Sequence, residues 1–280
     1  MAVLLALGCA VVYGASDFLG GLASRRTSVF GVVALSQVVG LVALLALLPW
    51  LGGPVGTADL WWGAAAGLAG ATGLVVFFRT LARGVMSVIA PVTALTAAAV
   101  PVLVGLVGGD RIDAWAAVGI AVALAAVVLV SAEGGLSALR AARPASLAPA
   151  LIAGSMFGVF FVLLDQTSDG SGLTPLVTAR LASVGLVVVI AVAGRKSLRV
   201  TRTALPLAAA SGVGDMIANA LFLLATQQDG QLAITGVLAS LYPVSTVVLA
   251  QVVLRERLVG AQLAGLGAAV AAVVLLTLPG

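Results

Sequence analysis

The chain of 280 residues contains no histidine and a single cysteine, Cys9. The first absence removes the commonest metal ligand and the side chain that naturally titrates near neutral pH. The second excludes an internal disulfide or a cysteine-based metal site, and Cys9, set in an apolar run, reads as a small packing residue. Charge is scarce as well, at 9% of residues against about a quarter in a soluble domain. That excludes an ordinary globular protein. Disorder is excluded too, because 62% hydrophobic residues and a mean hydropathy of +1.23 leave too much apolar surface to stay solvated. There is no HExxH, no GxSxG and no Cys–His pair, so nothing points to an enzyme, and no cofactor or metal is expected. No GxxxxGK[ST] phosphate loop occurs, which leaves ATP-driven pumping unsupported. A pI near 10.2 would suggest nucleic acid in a soluble protein. Here the net charge of +4 comes from short Arg-rich loops, which orient a chain in a membrane, and no nucleic-acid partner is expected.

What the chain does have is ten apolar runs, at 2–23, 28–50, 59–78, 84–107, 113–132, 147–167, 173–194, 204–227, 230–253 and 258–278. Each is 20 to 24 residues long, enough for a helix to cross about 30 Å of hydrocarbon. They leave no room for a sizeable soluble domain. The first run has no charged segment before it and no small-residue cleavage site after it, so it is expected to be a retained span and not a signal peptide. The prediction is an all-α, multi-pass membrane protein whose surroundings are the lipid bilayer.

The longest polar stretch, 133–146, divides five runs from five. It suggests a first repeat at 1–132, a linker at 133–146 and a second repeat at 147–280. Shifting residues 84–131 by 146 places them without a gap on 230–277. Gly84 then meets Gly230, Asp110-Arg111 meets Glu256-Arg257, Gly119 meets Gly265, and the AAVVL of 125–129 meets that of 271–275. A five-span unit crosses the bilayer an odd number of times, so its second copy is inverted. Inverted repeats are a recurring construction of secondary transporters, which bind substrate near the midplane where the halves meet. Pro91 and Pro101 in the fourth span and Pro243 in the ninth each remove a backbone hydrogen bond. Because these spans are equivalent under the repeat, the prolines are candidate gating or kink positions. Simple bending for packing is the alternative.

These features resemble the EamA-like branch of the drug/metabolite transporter superfamily. Its plan is ten spans in two five-span repeats. Its repeat-ending GER(L) turn and glycine-containing last helix resemble Gly109-Asp110-Arg111-Ile112 with Gly119, and Arg255-Glu256-Arg257-Leu258 with Gly265. The family's early WG resembles Tyr13-Gly14, and its link between third and fourth helices resembles the stretch 79–84 before APVTAL. The resemblance implies a secondary-active transporter, an exporter of small metabolites such as amino acids or drug-like compounds, in the plasma membrane of a bacterial cell, the inner membrane. It also implies that both termini lie inside. The basic residues say the opposite. Apart from Arg180, the odd-numbered connections carry all of them except Arg111, which puts those loops in the cytoplasm and both termini outside.

Charges within the spans are the candidate site. An ionised side chain in the hydrocarbon costs at least about 2.5–3.5 kcal/mol on insertion scales, so each needs a partner or a wet cavity. Asp215 lies near the middle of the eighth span, with Ser211 and Asn219 four residues either side on one face. Asp17 follows Tyr13 by four residues, Gln37 offers an amide in the second span, and Tyr242 precedes Pro243. Arg180, in the seventh span, is a natural counter-charge for Asp215 or a clamp for an anionic substrate group. A buried network that only fixes helix register would use the same residues. A small-molecule substrate is the expected partner, and a carboxylate could serve as a proton site, a substrate ligand or both. An uncoupled facilitator or exchanger, or a membrane-embedded structural subunit or enzyme, are the other readings.

Overall fold

The computed structural model describes residues 1–81, 86–110, 112–131, 144–228, 231–255 and 258–277. The first five spans are α1 (Ala2–Ser24), α2 (Val29–Leu51), α3 (Thr57–Leu81), α4 (Met86–Gly108) and α5 (Ala114–Ser131). The next three are α6 (Pro144–Asp165), α7 (Pro175–Ala193) and α8 (Leu205–Thr226). The ninth is split into α9 (Leu232–Ala239) and α10 (Tyr242–Leu254), and α11 (Gly260–Thr277) is the tenth. Among the described residues nine segments are long and apolar enough to cross a membrane, with α9 and α10 counted as one, and Val92–Gly108 of α4 is a shorter apolar helix. The Val-rich runs are helical because a backbone in hydrocarbon must satisfy its own hydrogen bonds.

Helix pairing follows a two-fold rule. Spans one and eight pack together, as do six and three; spans one and nine pair, as do six and four; spans two and eight pair, as do seven and three. Adding five to each span number converts one member of every couple into the other. The interfaces α2 with α7, α4 with α9 and α5 with α11 map onto themselves. The same relation holds between single residues. A Cβ added at Gly119 on α5 would come within 2.9 Å of the Leu276 side chain on α11. One added at Gly265 on α11 would come within 2.7 Å of Val130 on α5. Both the glycines and their partners are 146 residues apart.

The two faces of the bundle differ. On one face, the 2–3 and 6–7 connections pair through Leu173 N–H donating to the Leu51 carbonyl at 2.9 Å and Thr174 Oγ1 donating to Gly53 at 3.0 Å. Asp59 joins them, accepting from Gly56 N–H, Ser168 N–H and Ser168 Oγ at 2.8–2.9 Å. Asp110 accepts from Ala233 N–H at the start of α9, and Asp113 from Ala116 N–H at the start of α5, the usual place for a carboxylate on a helix. With Asp165 and Asp169 this makes an acidic face, flanked by the exposed Trp50, Trp61 and Trp115. Such amphipathic rings favour the headgroup level. The opposite, basic face carries Arg25, Arg26, Arg195, Lys196, Arg199, Arg202 and Arg255. There the 1–2 and 7–8 connections pair, Ser28 Oγ donating to Ser197 at 2.6 Å and Thr27 Oγ1 to Arg199 at 3.0 Å. This is the two-fold counterpart of the loop pairing on the acidic face.

The fourth and ninth spans carry their prolines in different settings. The ninth span is interrupted at Ser240-Leu241, and Pro243 stands in the first turn of α10, where its missing N–H costs nothing. By contrast α4 is one helix through both Pro91 and Pro101, so the two spans do not break at matching positions. The Pro101 ring is accommodated against Gly236 of α9, where an added Cβ would lie 2.6 Å from it. The shift of 146 also pairs Pro243 with Ala97, not with a proline. The linker between the repeats lies almost wholly outside the described residues, as do Gly84, Gly230, Arg111 and the Glu256-Arg257 pair.

Candidate functional site

The polar side chains inside the spans converge on α1, α2, α7 and α8, two helices from each half. Arg180 of α7 is the hub. Its guanidinium donates through one terminal nitrogen to Gln37 Oε1 on α2 and through the other to Asp215 Oδ2 on α8. This is the ion pair among the described residues. The Arg180 side chain is only 7% exposed, whereas that of Asp215 is 33% exposed. Two glycines let the backbones close over the guanidinium. A Cβ on Gly40 would sit 3.5 Å from Arg180 Cζ and 3.0 Å from the Gly212 carbonyl, and one on Gly212 would sit 2.3 Å from the Ser36 carbonyl.

From Asp215 the network continues to α1. Asn219 Nδ2 donates to the Asp215 carbonyl at 2.7 Å and to Asp215 Oδ2 at 3.3 Å. Tyr13 OH donates to Asn219 Oδ1 at 2.8 Å. The Tyr13 ring stands 6.3 Å from both Phe161 and Tyr242, and Phe161 packs on Phe222 with centroids 4.3 Å apart. These aromatics lie on the acidic-face side of the polar cluster. One turn from Tyr13, towards the basic face, Asp17 is exposed.

Asp215, Arg180, Asn219, Gln37 and Tyr13 thus form one hydrogen-bonded chain across both halves, with Tyr242 joined through its ring. Arg180 takes the role of counter-charge to Asp215. Asp17 stands beside the chain and makes no hydrogen bond or ion pair among the described residues. Ser211 contributes differently from the expected stripe: its carbonyl accepts from Ser16 Oγ at 2.6 Å, fastening α1 to α8. Ser16 was not visible as a candidate, since one serine in an apolar run carries no distinguishing signal. Its position next to Asp17 was the available hint. Pro101 on α4 takes no part in the hydrogen bonds of this cluster among the described residues, Pro91 lies where no side-chain placement is described, and Pro243 adjoins the cluster through Tyr242.

The scaffold repeats, but this chemistry does not. The shift of 146 pairs Asp215 with Ala69 and Asn219 with Gly73. The counterpart region on α3 and α6 holds Phe157 and Phe160 against Gly73 and Gly70 instead.

Against known protein families, the model of the EamA-like transporter family matches twice, over residues 1–132 and 146–278. The chain belongs to the EamA-like transporter family. It is therefore a multi-pass membrane protein of a transporter family, built as two inverted repeats. A solved crystal structure of a protein at 18% identity aligns with a TM-score of 0.81, covering 99% of this chain and 98% of that one. At that identity the likeness speaks for the fold alone. No curated protein matches. The EamA-like plan accounts for the two-fold helix pairing, and the Arg180 network is what this chain places at the junction of the halves.

Proposed function

We propose that the chain is a secondary-active exporter of small metabolites such as amino acids or drug-like compounds, working by alternating access and coupled to protons at Asp215. The observation that carries the reading is the Asp215–Arg180 pair, set deep in the spans at the meeting of the two halves. A carboxylate held by a guanidinium and an amide, yet one-third exposed, can lose or gain a proton when the surrounding helices rearrange. The guanidinium cannot. Both members of the pair belong to the second repeat, on α7 and α8, while Gln37 on α2 and Tyr13 on α1 join the network from the first. Rocking one repeat against the other changes its environment in the way alternating access requires. The export reading goes with the plasma membrane, in a bacterium the inner membrane, as the place where the chain works. The reading assigns transport without catalysis.

Counterflow in proteoliposomes against a panel of amino acids and drug-like amines and acids tests the transport reading. Saturable exchange of at least one compound supports it, and folded protein that exchanges none overturns it. Coupling is tested separately with Asp215→Asn. This variant is expected to lose accumulation driven by a proton gradient while retaining counterflow. An Asp215→Asn protein that still concentrates substrate on a proton gradient removes the coupling role, leaving an uncoupled exchanger.

A further inference from the structure

We infer that the site takes a monovalent organic cation carrying an aromatic or other flat apolar group, with Asp17 as its counter-ion and the rings of Tyr13 and Tyr242 beside it. This deepens the transport reading and rests on it for the claim that the bound cation is cargo.

The first observation is charge balance. The three ionisable groups within the cluster are Asp17, Arg180 and Asp215, with a formal sum of −1. Arg180 is already engaged, since each of its terminal nitrogens serves a partner, Gln37 or Asp215. It is also covered, because Gly40 and Gly212 bring α2 and α8 together over the guanidinium. A substrate carboxylate approaching from the exposed side would meet Asp17 and Asp215 before it met Arg180. The sequence alone left open an anion clamp at Arg180, and its engagement by Gln37 and Asp215 favours the counter-charge reading.

The second observation is that Asp17 stands alone. It is exposed, while Arg25 and Arg26 at the end of the same helix form no ion pair with it. A lone carboxylate within a span is costly, and a cationic ligand offsets that cost. The third is the aromatic surround. Tyr13 shares the α1 face of Asp17 one turn away, and the Tyr242 ring stands beside that of Tyr13. Their ring centroids are 6.3 Å apart. Aromatic faces attract a cation within about 6 Å of a centroid, most strongly where water is excluded.

The test uses three probes that share a phenyl group and differ in charge: phenethylamine, phenylalanine and 3-phenylpropionate. Binding of each labelled probe to detergent-purified protein is measured at equilibrium, and counterflow of each is measured in proteoliposomes. Phenethylamine is expected to bind and exchange, and 3-phenylpropionate to do neither. Asp17→Asn should weaken phenethylamine binding about tenfold or more, and Asp17→Glu should restore most of it. Preferential binding of phenylalanine or 3-phenylpropionate, or no binding of any probe, overturns the cation assignment. So does an Asp17→Asn protein that binds phenethylamine unchanged. Exchange of phenylalanine without exchange of phenethylamine overturns it while leaving the transport reading standing. Phenethylamine that binds through Asp17 but is never exchanged upholds the site and removes only the claim that the bound cation is cargo.

Discussion

Arg180 on α7 donates to Asp215 on α8, and the arginine is the buried partner of the two, 7% exposed against 33%. The cost of breaking the pair is therefore unequal. Arg180→Ala removes the only positive charge in the cluster and leaves two carboxylates inside the spans. It is expected to destabilise the protein by about 3 kcal/mol, the lower end of what an orphaned buried charge costs, because Asp215 keeps partial exposure. Asp215→Asn retains a neutral acceptor but leaves the more deeply buried Arg180 charge without a counter-charge, and should cost somewhat more, about 3–4 kcal/mol. Thermal unfolding in detergent of both single variants and the double variant measures the coupling. The double variant should lose clearly less than the sum; strictly additive losses would show that the two side chains do not act as a pair.

Tyr13 has two separable contacts, its hydroxyl on Asn219 and its ring among Phe161 and Tyr242. Tyr13→Phe deletes only the hydrogen bond and should cost about 1 kcal/mol. Tyr13→Ala also opens a cavity and should cost about 3–5 kcal/mol. Equal unfolding temperatures for the two variants would mean that the ring contributes nothing to packing.

The ten spans and their two-fold order were legible because both follow from quantities a sequence displays: run length, the mid-chain polar break and an ungapped shift of 146. Arg180, Asp215 and Gln37 stood out because ionised and amide groups inside apolar runs need partners. What could not be read is which partner each group finds. Whether Arg180 faces Asp215 or a substrate depends on the close approach of α2 and α8 at Gly40 and Gly212, a tertiary fact. Asp59 escaped notice for the same reason, since its partner Ser168 is 109 residues away. The settings of the prolines were not legible either, because a proline's effect depends on what it packs against. Pro101 finds room beside Gly236, while Pro243 sits where a helix begins.

Glycines on the helix interfaces give a contrast that a general appeal to packing does not. A Cβ at Gly67 would lie 2.0 Å from the Ala179 carbonyl on α7, and backbone cannot give way as a side chain can. Gly67→Ala is expected to force α3 off α7, costing about 1–3 kcal/mol as overpacking does. A Cβ at Gly185 on α7 meets nothing within 4 Å. Gly185→Ala should be neutral or stabilising, by up to about 1 kcal/mol, through the better helix propensity of alanine. The two melting temperatures should move in opposite directions or differ clearly. Equal shifts would refute the α3–α7 contact.

Asp59 fastens the start of α3 to the 6–7 connection with three hydrogen bonds, two of them involving Ser168. Asp59→Ala leaves the Gly56 and Ser168 donors without this acceptor at a face where α3 and α6 must stay together. A loss of about 1–3 kcal/mol is expected. Ser168→Ala removes only the hydroxyl donor and should lose about 1 kcal/mol or less. Thermal unfolding of the two variants is the measurement, and an Asp59→Ala protein no less stable than Ser168→Ala would mean the backbone contacts carry no weight.

The last prediction concerns which face meets the cytoplasm. Described lysine and arginine residues outside the spans all fall on the basic face, and the described carboxylates at the bundle ends, Asp59, Asp110, Asp113, Asp165 and Asp169, all fall on the other. Arginine and lysine in short loops are retained on the cytoplasmic side, whereas acidic residues contribute little to orientation. On that ground the 195–202 segment faces the cytoplasm and both termini face outward, against the orientation that the family resemblance implies. Ser197 is a suitable reporter because it is exposed and its side chain only accepts from Arg199 N–H at 3.3 Å. Cys9 is buried, but it is removed first so that a single thiol remains. A Ser197→Cys variant in that background is expected to resist a membrane-impermeant thiol reagent in intact cells and to react once the cells are opened. Strong labelling in intact cells would reverse the orientation, and with it the side from which Asp17, lying towards the basic face, is reached.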